Sequence, residues 1–349
     1  MIAIPSPLRL RLDGAALTHN WRWLAAQSGS AACGAAIKAD GYGLGARGVM
    51  DRLANAGCRD FFVATWAEAA ALMPLHPGTM LSVLHGVRGD DMAAALTLPA
   101  RPVLSSLDQI ARWRSAGAGR PCDVMVDTGM NRLGIAVADA LAGALDGLTI
   151  ETLMSHLASA DQNNAQNERQ RAAFSALAGQ TRARRMSLAN SAGICLGPDY
   201  AFDLTRPGLA LYGGIARGEC VGNIRAVVQP QVQVLQVRDI VAGDSVGYNA
   251  TFTAAAPLRL AIINLGYADG YLRGFSGGRG GARVGEHELA VVGRVSMDLT
   301  ALVVPDGCSV GEGDWIDIAY DLPTASAASG LSQYELLTGL GQRYGRAWA

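Results

Sequence analysis

The chain has 349 residues, of which 50% are apolar and 17% charged, and its formal net charge is −1. This composition excludes a disordered or collagen-like chain and supplies enough apolar material for about two domains. No segment is long and apolar enough to span a membrane, and no secretory leader is recognisable, so we expect no membrane partner. A nucleic-acid partner is not expected either, because the densest basic cluster, Arg182, Arg184 and Arg185, is typical of a solvated helix end.

The cysteines and histidines show no metal-binding or disulfide pattern. The six cysteines are widely scattered without a CxxC pair, and the five histidines form no HExxH motif. We therefore expect free thiols in a reducing cytoplasm and no bound metal.

The first two-thirds of the chain alternates short β-like runs with Ala- and Leu-rich segments of helical spacing. Such alternation is typical of parallel βαβ units, and eight runs predict a (β/α)8 TIM-type barrel. Six strands in a doubly wound sheet would show a similar pattern, so the alternation alone leaves that fold as the alternative. The runs cover 34–39, 61–64, 81–84, 102–104, 123–127, 149–155, 185–189 and 202–205.

After about Gly214 the pattern changes to period-two alternation, as in QPQVQVLQVRDI, which predicts antiparallel strands. A closing helix is predicted from about Ser332 to Tyr344. The barrel is therefore expected to be followed by a mostly antiparallel β domain.

Lys38 is the only lysine among the 29 lysine and arginine residues. A guanidinium stays protonated, whereas a lysine amine can lose its proton and bond covalently to a carbonyl carbon. The surrounding CGAAIKADGYG places Lys38 where an apolar run meets a glycine-rich loop, at the carboxyl end of a strand. We interpret Lys38 as a catalytic amine rather than a surface charge.

The segment from Gly43 to Gly48 matches GxGxxG, the fingerprint of dinucleotide-binding folds. That fingerprint needs its first glycine directly after a strand, but Asp40, Gly41 and Tyr42 intervene here. The spacing therefore argues against a nicotinamide-dependent dehydrogenase.

Polar residues follow the predicted barrel strands at the end where (β/α)8 enzymes carry their active sites. Helix N-termini after the seventh and eighth strands, with the small residues Ser191 and Gly208, predict a phosphate-sized cup. An amine beside a phosphate cup is what pyridoxal 5′-phosphate requires. The residues of this ring are Lys38, Asp127, Arg132, His156, Asn190, Ser191, Arg206 and Gly208.

Eight motifs carry a family resemblance: IKADGYGLG, VDTGMNRLG, SHLASAD, LANSAG, RPGLALYG, VGYNATFTA, INLGYADGYLR and VVGRVSMD. In these motifs and their order the chain resembles the alanine racemases, pyridoxal-phosphate enzymes of fold type III. The resemblance implies a head-to-tail homodimer whose N-terminal strand joins the β domain. The expected domains are 11–215 for the cofactor-binding barrel and 216–349, with strand 1–10, for the β domain.

The resemblance implies two bases on opposite faces of the alanine α-carbon. They are Lys38, which also holds the cofactor covalently, and Tyr248 of the partner subunit. Because the pKa of an ordinary tyrosine is near 10, its proton must be drawn away, a role that the resemblance gives to His156 and Arg206. Arg206 is also expected to face the pyridine nitrogen and, by keeping its own proton, to leave the ring a weaker electron sink.

The same resemblance assigns the remaining site residues. Tyr42, Ser191 and the backbone of Gly208 and Leu209 are expected to bind the phosphate, and Arg132 the cofactor hydroxyl and the substrate carboxylate. The other expected residues are Asn190 at the cofactor, Met297 of the partner subunit at the carboxylate, and Tyr267 and Arg273 along the channel leading to the site.

Three positions depart from the family's pattern. Met125 stands where many members carry a carbamylated lysine that orients the active-site arginine. Ser187 replaces a frequent histidine and is expected to change the hydrogen bonds to Arg206. A phosphate-binding tyrosine of some members aligns with about Gln342, two residues before Tyr344.

The function that these features favour is interconversion of L- and D-alanine, supplying D-alanine for peptidoglycan. The alternatives are a broad-specificity amino-acid racemase, a non-catalytic pyridoxal-phosphate carrier and a fold-related decarboxylase. The carrier is a single barrel, which the β domain and Tyr248 argue against. The decarboxylase family supplies a cysteine from its partner where this chain has Tyr248.

Overall fold

A computed structural model describes residues 5–117 and 119–349. The chain forms two compact units. The barrel unit comprises Ala16–Gly41 and Gly45–Arg225, and the β unit comprises residues 5–15, Tyr42–Leu44 and Ala226–Ala349. No helix in the described residues is both long enough and apolar enough to cross a membrane.

The last residue of the barrel unit, Arg225, is bonded to the buried side chain of Asn20. The Asn20 side chain donates to the Arg225 carbonyl at 2.8 Å and accepts from the Arg225 N–H at 2.8 Å. At the other end, residues 1–4 of the segment expected to join the β domain lie outside the described residues.

The barrel unit contains eight parallel strand positions, which confirms the predicted (β/α)8 fold. Seven pair in the order in which they occur in the chain, and the eighth, Leu204–Thr205, pairs with Ala32–Cys33 of the first. A backbone bond of 2.8 Å from Arg206 to Ala189 joins the eighth to the seventh and closes the circuit. The strands are Ala32–Cys33 with Ala35–Ala36, Asp60–Val63, Met80–Val83, Arg101–Leu104, Pro121–Asp127, Thr149–Met154, Arg185–Ser187 and Leu204–Thr205, with Ile135–Ala136 beside the fifth.

Helices connect these strands, as the alternation of the sequence predicts. Many begin at a polar N-cap: the Asn164 side chain, for example, accepts from the N–H of Gln166. The helices are Gly14–Gln27, Ala46–Ala56, Trp66–Ala71, Met92–Thr97, Leu107–Ala116, Val137–Leu141, Ala165–Ser175 and Ser191–Ile194, with 3-10 turns at Pro198–Tyr200, Leu209–Tyr212 and Gly218–Cys220.

Apolar side chains from several strands fill the barrel, as in other (β/α)8 folds. One such cluster contains Phe62, Val103, Met125, Met154 and Leu204.

The interpretation of Arg185 as part of a solvated helix end is wrong. Arg185 begins a barrel strand, and its guanidinium donates two hydrogen bonds to the Asp60 carboxylate at 2.6 and 3.1 Å.

The β unit contains a closed barrel of six antiparallel strands, and two further strands, Leu8–Leu12 and Gly345–Trp348, extend the sheet on one side. Val228–Ile240 is long enough to pair with Leu8–Leu12 and Trp315–Ile318 in its first half and with Leu258–Ile263 in its second. The strands are Leu8–Leu12, Val228–Ile240, Ser245–Val246, Phe252–Thr253, Leu258–Ile263, Gly281–Val284, His287–Val292, Thr300–Val304, Trp315–Ile318 and Gly345–Trp348.

The prediction of one helix from Ser332 to Tyr344 is wrong. Helices cover Leu322–Ser329 and Gln333–Thr338, the second ends at Gly339, and Gly345–Trp348 is a strand parallel to Leu8–Leu12. Short 3-10 turns at Tyr248–Ala250, Tyr267–Asp269 and Arg273–Phe275 complete the unit.

Candidate active site

Lys38 lies two residues after the strand Ala35–Ala36, where the Ile37 N–H still pairs with the Phe62 carbonyl at 2.8 Å. The side chain is half-buried. Burial lowers the pKa of its amine, the positive charges of Arg132 and Arg206 lower it further, and Glu68 opposes them. A larger share of the amine is therefore uncharged at neutral pH, which suits a nucleophile or a base.

Arg206 follows the eighth strand and is buried. Its guanidinium donates to the Ser155 carbonyl at 2.5 Å and to the Ser187 hydroxyl. Burial lowers its pKa to about 10, so the group still carries its charge at neutral pH. Both acceptors are uncharged, which leaves a buried cation suited to an electron-rich group in the site.

His156 is uncharged at physiological pH. Burial lowers its pKa to about 3, and the neighbouring charges of Arg206, Arg132 and Lys38 act in the same direction. Among the hydrogen bonds of residues 5–117 and 119–349, none joins His156 to Arg206, the pair expected to form a chain. Ser187, one of the three expected departures, takes one of the Arg206 donors instead.

The expected phosphate cup is organised around Ser191. Its hydroxyl oxygen accepts from the N–H of Gly208 at 2.9 Å and of Ala210 at 3.2 Å, so its own proton is free to be donated outward. Asn190 caps the helix that begins at Ser191, accepting from the Gly193 N–H at 2.8 Å. Leu209 begins a 3-10 turn, whose first N–H groups have no carbonyl partner within the turn.

Met125 packs in the apolar cluster of the barrel interior. A thioether has no charge with which to orient a guanidinium. At the C-terminal departure Gln342 is exposed and Tyr344 is buried. Burial raises the pKa of the Tyr344 phenol well above its ordinary value, and the nearby Tyr320 adds to the effect.

Five of the expected residues belong to the β unit, and Tyr42 is the first of them. Tyr42 is buried, with its ring centroid 6.3 Å from that of Tyr334. The residue after it, Gly43, accepts from the Arg346 guanidinium through its carbonyl at 2.8 and 3.0 Å. A Cβ on Gly43 would lie 2.5 Å from the Leu337 carbonyl oxygen, so only glycine fits this close approach.

Three residues expected at the substrate end lie together in the β unit. The N–H groups of Tyr267 and Ala268 donate to the carbonyls of Ser296 and Met297, both at 3.0 Å. The Arg273 guanidinium lies 5.6 Å from the centroid of the Tyr267 ring. This places Tyr267, Arg273 and Met297 on one connected surface.

Tyr248 and Met297 are 67% and 54% exposed in the chain. Tyr248 begins a turn in which Asn249 and Ala250 have φ of 63° and 47°, a conformation that L-residues other than glycine rarely adopt. Exposed side chains on a constrained backbone are features of a contact surface.

Glu68, which contacts the backbone next to Lys38, is absent from the sequence-based prediction. The Glu68 carboxylate accepts from the N–H of Ala39, directly after Lys38, at 2.7 Å. The capping-box pattern of Thr65 and Glu68 is readable from the sequence and explains a helix start, but not this second contact.

Comparisons with known proteins agree with this architecture. Residues 12–216 match the family model for the alanine racemase N-terminal domain, and residues 227–348 match the C-terminal domain. The chain is 41% identical to an alanine racemase of Acidiphilium cryptum (strain JF-5), with 97% of each chain covered. It is 40% identical to a biosynthetic alanine racemase of Agrobacterium fabrum (strain C58 / ATCC 33970), covering 98% of this chain and 94% of that one.

A solved structure shows the same fold. The alanine racemase of Bartonella henselae, crystallised with covalently bound pyridoxal phosphate, superposes with a TM-score of 0.92 at 35% identity over 99% of this chain and 100% of that chain. Both domain models of the family match in order, and the chain belongs to the alanine racemase family.

Proposed function

We propose that this chain is a pyridoxal-phosphate-dependent racemase that interconverts L- and D-alanine. The observation that carries the proposal is the amine of Lys38 at a strand end of the barrel, with its pKa lowered by burial and by two arginines. Such an amine can bond covalently to the cofactor aldehyde and later exchange a proton with substrate. Family membership supports the same activity.

The residues present fit the cofactor. The Ser191 hydroxyl, with its proton available, and the backbone N–H of Leu209 suit a phosphate. The N–H of Gly208, also expected at the phosphate, donates to the Ser191 hydroxyl and so orients it. The guanidinium of Arg206, whose two hydrogen-bond acceptors are both uncharged, suits the pyridine nitrogen. When bound, the cofactor supplies a conjugated ring that withdraws electrons from the substrate α-carbon.

In the proposed mechanism Lys38 holds the cofactor and its Nζ moves a proton at one face of the α-carbon. The Tyr248 hydroxyl of the partner subunit moves a proton at the opposite face, since inversion in both directions needs a base on each side. The exposure of Tyr248 supports this role, because its ring is available to a second copy of the chain.

The other residues orient and bind. Arg206 remains a cation at neutral pH, so it would donate a hydrogen bond to the pyridine nitrogen while keeping its own proton. Arg132 binds the substrate carboxylate and the cofactor hydroxyl, with the backbone of Met297 from the partner subunit at the same carboxylate. Tyr42, His156 and Asn190 complete the cofactor site.

We include three wider roles in the proposal. The enzyme acts as a homodimer with shared sites, in the cytoplasm, and supplies D-alanine for peptidoglycan. The six free cysteines fit a reducing compartment. The contact between Arg273 and Tyr267 supports a narrow channel, and therefore alanine rather than larger amino acids as the substrate.

The test is incubation of the protein, loaded with pyridoxal 5′-phosphate, with L-alanine in heavy water. D-Alanine that carries deuterium at the α-carbon is the expected product. Parallel incubations with L-lysine and L-arginine measure the breadth of the site, and comparable turnover of either would replace the alanine-specific proposal with a broad-specificity racemase. Bound cofactor with neither inversion nor α-deuterium exchange would identify a carrier and contradict the proposal.

A further inference from the structure

The backbone that follows Lys38 forms a left-handed turn. Ala39 has φ 53° and ψ 48°, Asp40 has φ 52° and ψ 50°, and Gly41 has φ 63° and ψ 42°. Tyr42 continues with φ 55°. Only Gly41 adopts this conformation without a steric cost, so the surrounding structure must hold the other three residues in it.

Hydrogen bonds fix the middle and the end of this turn. The Gly41 N–H donates to the Ile37 carbonyl at 2.8 Å, and the Gly45 N–H donates to the Asp40 carbonyl at 2.8 Å. The Asp40 carboxylate accepts from the Ala46 N–H at 2.9 Å. These bonds attach the turn to the following helix but leave its first residue, Ala39, to another partner.

Glu68 is that partner. One carboxylate oxygen accepts from the Ala39 N–H at 2.7 Å. The other accepts from the N–H groups of Ala64, at 2.6 Å, and Thr65, at 3.2 Å, directly after the strand Asp60–Val63. A single carboxylate therefore connects the chain after one barrel strand to the residue next to Lys38, through charge-assisted hydrogen bonds.

We propose that Glu68 is a positioning residue for Lys38, fixing the start of the left-handed turn and with it the direction in which the amine leaves the backbone. The catalytic part of this role rests on the proposed function, since it matters for turnover only if Lys38 holds the cofactor. A purely structural explanation also exists. Glu68 forms a capping box with Thr65, whose hydroxyl accepts from the Glu68 N–H at 3.2 Å.

The chain itself offers a way to separate the two explanations. Thr65→Val removes the hydroxyl cap and leaves the Glu68 carboxylate in place. Glu68→Gln removes the charge and provides only one acceptor oxygen, which cannot serve both Ala39 and the Ala64–Thr65 backbone. A structural role predicts that the two variants affect Ala39 and turnover alike, and a positioning role predicts that only Glu68→Gln affects them.

The first measurement uses the cofactor-free protein labelled with 13C at the lysine ε-carbon. Because the chain has one lysine, a single side-chain signal reports the titration of Lys38. The charged or titratable groups that act on it are Arg132, Arg206 and Glu68, with His156 held neutral beside them. We expect Glu68→Gln to lower the Lys38 pKa relative to the wild type and Thr65→Val to leave it unchanged.

Amide hydrogen exchange provides a readout of backbone position. The Ala39 N–H is expected to exchange about tenfold faster in Glu68→Gln than in the wild type, because its acceptor is lost or shared. In Thr65→Val it is expected to exchange at the wild-type rate. Equal exchange rates and equal Lys38 titrations in the two variants would overturn the proposal.

The loaded enzyme supplies the last comparison. Glu68→Gln is expected to lower kcat for alanine racemisation about tenfold with little change in KM, since the amine is misplaced while the substrate contacts remain. Adding Ala39→Gly is expected to restore part of kcat, because glycine adopts the left-handed conformation without being held. An unchanged kcat in Glu68→Gln would overturn the positioning role.

Failure to fold or to racemise would still leave the proposal testable. If Glu68→Gln does not fold, Glu68→Asp is measured by Ala39 exchange and by kcat, since it keeps the charge but is too short to reach both partners. If wild-type protein binds the cofactor but shows no racemisation, the proposed function fails. The exchange measurement on cofactor-free protein still decides whether Glu68 holds the backbone next to Lys38.

Discussion

Lys38 is the single amine side chain in a chain with 29 basic residues, so covalent chemistry at its side chain can be assigned without ambiguity. Lys38→Arg keeps a positive charge on a side chain of similar length, but its guanidinium cannot bond covalently to an aldehyde. We expect treatment with pyridoxal 5′-phosphate and borohydride to attach the reduced cofactor to the Lys38 peptide of the wild type. In the variant we expect no cofactor on the peptide that contains residue 38. Peptide mass spectrometry measures this, and stoichiometric labelling of another residue in the wild type would contradict the assignment.

The lowered pKa of His156 predicts how the stability of the protein changes with pH. Its pKa in the folded protein is lowered to about 3, whereas an unfolded histidine titrates near 6.5. The unfolded chain therefore binds more protons as the pH falls, and stability present above about pH 6.5 is lost on acidification toward pH 3. Between pH 7 and pH 5 this single group lowers the free energy of unfolding by about 2 kcal/mol.

The control for that prediction is His156→Gln, whose side chain does not titrate. Urea unfolding of the cofactor-free wild type and variant at pH 5, 6, 7 and 8 gives both pH profiles. The variant is expected to lose less stability than the wild type between pH 7 and 5, whatever its stability at pH 8. Parallel profiles would show that His156 titrates normally in the folded protein.

At the scale of single residues, the sequence predicts the chemical role of Lys38 better than it predicts which residues contact Lys38. A lone lysine at a strand end is visible in the sequence, but its contacts depend on residues far along the chain. Glu68 illustrates the limit: the local Thr65–Glu68 capping box fully explains its presence, and nothing in the sequence indicates the bond to Ala39. Ser187 is recognisable as a departure, yet its hydrogen bond to Arg206 depends on barrel closure.

The loop that carries Arg132 depends on Gly134. This glycine has φ of +133°, and a Cβ there would lie 2.5 Å from the Asp127 nitrogen and 2.8 Å from the Val126 carbonyl carbon. Backbone cannot move aside as a side chain can, so Gly134→Ala is expected to lower the free energy of unfolding by about 2–3 kcal/mol. Displacement of the loop is also expected to raise KM for alanine, through Arg132.

Gly179→Ala is the matched control for Gly134→Ala. Gly179 also has a positive φ, +72°, but a Cβ added there would meet no atom within 4 Å. The substitution is therefore expected to cost only about 1 kcal/mol, from backbone conformation alone. Urea unfolding compares the two variants, and equal losses with an unchanged KM would show that the close approach at Gly134 does not constrain the loop.

Element prediction succeeds where periodicity is local and fails where pairing is distant. The eight barrel runs are recognisable because apolar strand segments alternate regularly with helical ones. The predicted C-terminal helix is too long because Leu336, Leu337 and Leu340 continue a helical spacing past Gly339. The strand Gly345–Trp348 is missed because its partner, Leu8–Leu12, lies at the opposite end of the chain, where no local pattern can indicate it.

At the scale of the whole molecule, the division into a barrel and an antiparallel unit follows from the change of period near residue 214. The membership of each unit is subtler, because Tyr42–Leu44 joins the β unit from within the barrel sequence. The carbonyl of Gly43 shows why, because it accepts from the guanidinium of Arg346. A short loop that follows Lys38 in the sequence is thus bonded to the C-terminal strand.

The proposed sharing of active sites between two subunits leads to a prediction that only the assembled enzyme can test. Lys38→Arg and Tyr248→Phe are each expected to inactivate homodimeric enzyme, the first by preventing cofactor attachment and the second by removing a base from one face. In a mixed dimer one site has both defects, while the other combines the intact Lys38 of one copy with the intact Tyr248 of the other. Activity should therefore return on mixing, although neither parent has it.

Co-expression of the two variants with different affinity tags allows the mixed dimer to be isolated by sequential purification. With one intact site in two, it is expected to show about half the wild-type activity per dimer, and an unfractionated random mixture about one quarter. The control is a mixed dimer of wild type with the double variant Lys38→Arg/Tyr248→Phe, in which each site lacks one base. If Tyr248 acts across the subunit boundary, that control stays inactive and the first mixture recovers; if Tyr248 acts within its own chain, the two results are reversed.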